Sequence, residues 1–257
     1  MSFSRKIVFS SLAAALGLMG LKSCKPHEFM QESLTSFAVT NTIPGDTLHV
    51  VLDGQLHTPP NALGVLFGGT SISHTGAATP YLPAIAGGHT IGLSRDTGKT
   101  VYANHQVNLE RGVAYTFFAV GTQAQRNFIQ LRDNLSLPAE NTIKVRFVHA
   151  APSTGPVDVT FARGTTDSVT LTNRTMLSSG NAGTAEVFTQ IPVTRGTTTH
   201  ATSYTIRVKT AGTGNVIASG TTNLGGVFTS PQNKIYTFYL RGGVSNTALG
   251  LGVTRNY

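Results

Sequence analysis

From residue 36 onward the sequence reads as one pattern written twice, and a duplicated chain must build the same unit two times in the same order. Gly88–Leu93 (GHTIGL) resembles Ser203–Val208 (SYTIRV), and Val107–Gly112 resembles Thr222–Val227 at the same offset. Ala114–Gly121 (AYTFFAVG) matches Ile235–Gly242 (IYTFYLRG) after a few extra residues. Upstream, Thr42-Ile43-Pro44 with Leu48–Val51 parallels Ala150-Ala151-Pro152 with Val157–Thr160. At the ends, Leu131–Asn134 parallels Val253–Asn256. Order is kept throughout, and the offsets drift only where loops lengthen. The pattern predicts two tandem domains, 36–134 and 143–257, joined by a linker at 135–142 that contains Pro138.

Within each unit the hydrophobic period is 2. Ile143, Val145 and Phe147 alternate with Lys144 and Arg146; Tyr204, Ile206 and Val208 alternate with Thr205, Arg207 and Lys209. Val157, Val159 and Phe161 alternate with Asp158 and Thr160, and Leu48, Val50 and Leu52 repeat the arrangement in the first unit. Turn signals separate the runs at Pro44-Gly45-Asp46, Asp53-Gly54, Gly87-Gly88, Thr97-Gly98-Lys99 and Thr213-Gly214-Asn215. About one residue in seven is Thr and 28 are Gly, which favours short strands and tight turns over helices. Roughly seven short strands in about 100 residues is the size of an Ig-like unit. The expected fold is all-β: two tandem Ig-like antiparallel β-sandwiches. In each, the YTF strand should be central, and the strands from His89 and Tyr204 should form hairpins with the strands that follow. Alternation sends one aromatic of each YTF strand, Phe118 or Tyr239, to the side away from its neighbour.

The first 23 residues do not belong to this fold. Arg5 and Lys6 precede an apolar run from Ile7 to Leu21, too short for a comfortable bilayer span and flanked like a secretory signal. The run ends in Leu21-Lys22-Ser23-Cys24, which resembles a bacterial lipobox, and Cys24 is the only cysteine of the chain. Residues 1–23 are read as a lipoprotein signal peptide, Cys24 as the lipidated residue, and 24–35 as a tether. Acyl chains contribute about 0.8 kcal/mol per buried methylene, so anchoring to a membrane needs no spanning helix. Loss of Arg5, Lys6 and Lys22 with the signal lowers the formal charge from +8 to +5. Lys25 is not the Asp that marks inner-membrane retention, so the reading is an exported protein held at the outer membrane, on its periplasmic face or the cell surface.

Several of these residues carry a family resemblance. Val145–Pro152 (VRFVHAAP) followed by Gly155–Val159, Tyr81-Leu82-Pro83, the AGGHTIGL strand from Ala86 and the ERGVAYTFFAVG block from Glu110 resemble domain-of-unknown-function family 4397. The resemblance implies an exported bacterial protein, often a lipoprotein, with tandem β-rich domains. It implies no activity and no catalytic residue.

The chemistry motifs agree with that. The sequence has no H-E-x-x-H, G-x-S-x-G, phosphate-binding loop or EF-hand loop, and a single Cys excludes an internal disulfide or a multi-Cys zinc site. Its eight His form no i, i+2 or i, i+4 pair. No catalytic residue, metal site or cofactor is expected. His149 reads as a strand-end hydrogen-bonding residue, Asp53 and Asp158 as turn or edge acceptors, and Arg132-Asp133 as a local ion pair. The mature chain has no Lys/Arg cluster, which speaks against nucleic acid. Asp46-Thr47-Leu48 and Asp167-Ser168-Val169 resemble a short acceptor motif for O-glycosylation. The expectation is a non-enzymatic, lipid-anchored cell-envelope protein with a structural or protein-binding role. The alternative is an accessory carbohydrate-binding lipoprotein of a polysaccharide-uptake system, which an exposed aromatic platform at a loop end would favour. The partners are thus the membrane, and an envelope protein or a glycan as ligand.

Overall fold

A computed structural model describes residues 33–56, 65–67, 81–94, 100–140, 142–163, 167–192, 203–223, 234–243 and 248–256. Cys24 and the signal segment lie outside the described residues. Leu34–Tyr257 forms one compact unit, separate from Met1–Ser33.

Seventeen strands are described. In chain order they are β1 (Leu34–Asn41), β2 (Thr47–Leu52), β3 (Gln55–Leu56), β4 (Val65–Phe67), β5 (Leu82–Ile85), β6 (Gly87–Ser94), β7 (Val101–Leu109), β8 (Ala114–Gly121) and β9 (Arg126–Asp133). After the linker come β10 (Thr142–His149), β11 (Val157–Arg163), β12 (Asp167–Arg174), the one-turn helix α1 (Ala182–Glu186), β13 (Thr189–Pro192), β14 (Ser203–Thr210), β15 (Val216–Asn223), β16 (Ile235–Arg241) and β17 (Gly250–Arg255). β1 already includes Leu34 and Thr35.

The fold is all-β and sandwich-like, as the sequence predicts. Among the described strands, those before the linker pair only with one another, in sheets of order β5-β1-β8-β9 and β3-β2-β6-β7 with β4 beside β2. Those after it form β13-β10-β16-β17 and β12-β11-β14-β15. In the N-terminal half Phe37, Tyr115 and Phe117 of the first sheet pack on Leu48, Val50, Ile91 and Leu93 of the second. In the C-terminal half Val145, Phe147 and Phe238 meet Val159, Phe161, Ile206 and Val208. The alternation seen in the sequence is therefore the alternation of the core.

The YTF strands β8 and β16 are interior, and β6–β7 and β14–β15 are antiparallel hairpins. Most pairs run antiparallel, but β1 lies parallel to β8 and β10 parallel to β16. In each half the chain passes from its first strand to the facing sheet rather than turning back beside it, so the parallel partner arrives 78 residues later in the first half (Ser36 to Ala114) and 91 later in the second (Lys144 to Ile235). Asp53 (φ 49°) and Gly54 (φ 77°) both occupy the left-handed region and close the β2–β3 hairpin, the conformation that an Asp-Gly pair supplies.

The register gives the equivalence of the halves residue by residue. Ala38 sits opposite Thr116, and Arg146 sits opposite Thr237. Ala114 pairs with Asp133, while the Asn256 amide donates to the Ile235 carbonyl. Asp133 therefore corresponds to Asn256, one residue off the match suggested by the sequence ends.

Candidate functional site

The residues singled out in the sequence serve as structural acceptors and donors. His149 closes the end of β10: its Nε2 lies 3.0 Å from the Gly155 carbonyl, and Nδ1 accepts the Ala151 amide at 3.2 Å. Burial pulls its imidazole below the usual value, against the opposing pull of hydrogen bonds with Gly155 and Thr154. Asp158 accepts the amides of Asn173 (2.8 Å) and Gly212 (3.2 Å), and those bonds hold its carboxyl low. Asp53 accepts the Thr90 amide at 2.8 Å and lies 2.7 Å from His89 Nδ1. Ser168 is exposed on β12, an edge strand.

His89 has an acceptor on each ring nitrogen, since Nε2 lies 2.6 Å from the Ile85 carbonyl. Only imidazolium can donate to both. Burial lowers its affinity for the proton, but the bonds to Asp53 and Ile85 and the Asp53 charge outweigh this, so the net shift is upward from 6.5. Asp53 is shifted down by the Thr90 amide, then by His89. The tie from the Asp53-Gly54 turn to β5 is thus complete below pH 6.5 and fades as pH rises through the raised imidazole value. It also fades at acid pH as Asp53 protonates. His89→Gln should lower stability by a few tenths to about 1 kcal/mol, because the pair is partly exposed. The loss should be greatest between those limits and smaller above neutrality, in thermal unfolding run across pH. A loss that grows with rising pH would contradict the assignment.

Arg132 and Asp133 do not pair with each other. Alternation along β9 points them to opposite sides. Arg132 is exposed and binds Glu110 through both guanidinium nitrogens at 2.9 and 3.0 Å. Asp133 is buried and meets Arg146 Nη1 at 2.6 Å, both side chains wholly shielded from solvent.

That ion pair belongs to a closed ring of side chains joining the two halves. Tyr81 donates to Asp133 Oδ2 at 2.6 Å, and Thr116 donates to the same oxygen at 2.5 Å. The Asn256 amide donates to the Tyr81 hydroxyl (2.9 Å), Thr237 donates to Asn256 Oδ1 (2.7 Å), and Arg146 Nε donates to Thr237 Oγ1 (2.8 Å). Burial, then the Asp133 charge, raises the Tyr81 phenol well above its usual range. The Arg146 guanidinium also lies 4.6 Å from the centre of the Phe188 ring.

Beside the ring, Phe118, Val120, Ile129 and Leu131 pack against Val148, Ala150, Leu177 and Tyr239. Phe118 and Tyr239 occupy equivalent positions and meet edge to face, with centroids 6.1 Å apart. Thr116 with Asp133 and Thr237 with Asn256 are likewise equivalent pairs. The contact is thus nearly self-complementary, like a two-fold dimer interface within one chain. Lys144 and Arg146, which alternate with the core-facing Ile143, Val145 and Phe147, are buried here; Lys144 Nζ donates to the carbonyl and hydroxyl oxygens of Ser136, both at 2.6 Å, and burial lowers its proton affinity. Sequence alternation separates these residues from the core but cannot distinguish water from a second sheet.

A cleft of about 810 Å³ opens where the halves meet, lined in part by Leu34, Val113, Arg132, Leu135, Ser136 and Glu186. Glu186 accepts the Arg132 amide at 2.7 Å. Far along β7, the Tyr102 ring is 43% exposed, with the Arg126 guanidinium 4.7 Å from its centre. Among the described residues, no three His, Cys, Asp or Glu side chains are grouped to hold a metal ion.

No curated protein matches the chain in sequence. Among solved structures, it resembles family 41 carbohydrate-binding modules from streptococcal virulence factors, reported for alpha-glucan recognition, at 9% identity and a TM-score of 0.26, covering 86% of this chain and 96% of that one. It also resembles the fimbrial anchor protein Mfa2 from Porphyromonas gingivalis at 11% identity and a TM-score of 0.25, covering 87% and 97%. Likeness at that level carries no functional argument. The family model for the domain of unknown function DUF4397 matches residues 35–160, from the second residue of β1 through the rest of the N-terminal half, together with β10 and the start of β11. The resemblance carried by the HTIGL, YTFFAVG and VRFVHAAP segments is therefore a match to DUF4397.

Proposed function

We propose that the chain is a non-catalytic, lipid-anchored protein of the cell envelope, exported by residues 1–23 and acylated at Cys24, with a structural or protein-binding role. The observation that carries the non-catalytic part is the commitment of its acids to architecture. Asp46 holds Arg126, Asp133 holds Arg146, Asp53 and Asp158 hold backbone amides, and Glu110 holds Arg132. A carboxylate tied to a fixed cation or amide has its charge and orientation already spent on the fold. The anchor rests on Cys24 being the only thiol of the chain and standing at the end of a lipobox-like run. Cys24→Ala is expected to move the protein from the membrane fraction to the soluble fraction and to change its gel mobility. Unchanged fractionation would refute the anchor.

The division into repeats at 36–134 and 143–257 belongs to the same proposal. It is supported by the absence of strand pairing across the linker among the described strands. Residues 141–257 produced alone should unfold cooperatively, since a sandwich of that size holds its own core. Their midpoint should fall below that of the whole chain, because Arg146, Val148 and Tyr239 lose their cover. A fragment without a cooperative transition would show that the halves fold only together.

A further inference from the structure

Seven large apolar side chains stand exposed among the described residues; one of them, Leu34, lines the cleft between the halves, and three more adjoin lining residues across a strand pair or along the chain. Leu34 (47% exposed) lines the cleft and pairs across β1–β5 with Ile85 (64%). Val187 (55%) follows the lining residue Glu186, and Leu137 (57%) follows Leu135 and Ser136 on the linker. Single exposed apolar residues are ordinary, whereas a cluster of them calls for a partner. Leu34 is also where the N-terminal segment enters the body. Nine residues lie between it and Cys24, so the ten steps from one to the other reach at most about 35 Å even when fully extended.

We propose that this end of the body, around Leu34, Ile85, Leu137 and Val187, rests on the lipid surface. The inference depends on the anchored reading given above, since the tether is what brings this end rather than another to the bilayer. The apolar side chains enter the boundary between headgroups and acyl chains, where amphipathic surfaces bind by buried apolar area. Arg111 is exposed at the turn beside Gly112 at the same end, where Arg132 is paired with Glu110. The opposite end of the N-terminal half, marked by Tyr102, points away. Tyr102 lies seven residues, or about 23 Å, along β7 from Leu109, which pairs with Gly87.

Acylation of Cys24 leaves the mature protein without a free thiol, so one introduced cysteine can be labelled alone. The full-length acylated protein, carrying an environment-sensitive fluorophore at Ile85→Cys or at Tyr102→Cys, is reconstituted into phosphatidylcholine vesicles containing phosphatidylglycerol and lipids brominated near the headgroup. The expected result is several-fold stronger quenching and a blue-shifted emission at position 85 relative to position 102. Leu34→Asp in the position-85 protein should reduce that quenching while leaving the circular dichroism unchanged. Vesicle-bound protein with equal quenching at the two positions overturns the membrane-facing end but leaves the anchor standing. Protein that does not sediment with the vesicles overturns both.

Discussion

Arg146→Met is expected to destabilise the protein by about 3–5 kcal/mol, because it removes one partner of a buried ion pair and strands the other. Methionine keeps much of the arginine's length, so the loss reports charge more than volume. Asp133 would keep the Tyr81 and Thr116 hydroxyls, which do not neutralise it. Adding Asp133→Asn should recover most of the loss. At position 133 it installs the residue type already present at the equivalent Asn256, where Thr237 donates to a neutral amide. Denaturant unfolding of the two single variants and the double variant gives the coupling. A double variant no more stable than Arg146→Met alone would show that Asp133 is not the group left uncompensated.

The second large effect is predicted at two equivalent glycines. Gly121 (φ 104°), the last residue of β8, and Gly242 (φ 89°), just after β16, hold equivalent places at the ends of the YTF strands, in a backbone region costly for any residue with a Cβ. A Cβ on Gly121 would also overlap the Gln125 carbonyl oxygen, and one on Gly242 the Ala248 carbonyl oxygen. Alanine at either should cost about 2–3 kcal/mol, the range for strained backbone that has no room to relax. Gly54 (φ 77°) provides the comparison, since its Cβ would meet nothing within 4 Å. Gly54→Ala should cost only about 1 kcal/mol, from the backbone alone. Equal losses at the three positions would mean that the overlap relaxes freely.

Local pattern carried the fold a long way. Two-residue alternation marked β10, β11 and β14, and the Asp53-Gly54 and Thr213-Gly214 turns marked their hairpins. The apolar, proline-free YTF runs marked the interior strands. The failures share a different cause. Arg146 alternates with core residues and points to the other side of its strand, yet it is fully buried. Nothing local reveals that the outer face of one sheet is the inner face of another. The Asp133–Arg146 and Tyr81–Asn256 contacts depend on how two finished sandwiches dock. The parallel pairing of β1 with β8 is equally non-local. The one-residue slip in matching Asp133 to Asn256 arose because sequence similarity at the chain end is short, whereas the β8–β9 and β16–β17 ladders settle it.

The position of β1 has a mechanical consequence. The chain enters the body on a strand flanked on both sides, by antiparallel β5 and parallel β8. Tension applied through the N-terminal segment along β1 would therefore load both rows of backbone bonds in shear, all at once, instead of peeling them apart from one end. Forced detachment under such a load is a matter of rate rather than equilibrium, governed by how often a whole row gives way together. A body loaded through its first strand in this way would hold against tension longer than its ordinary folding stability would suggest.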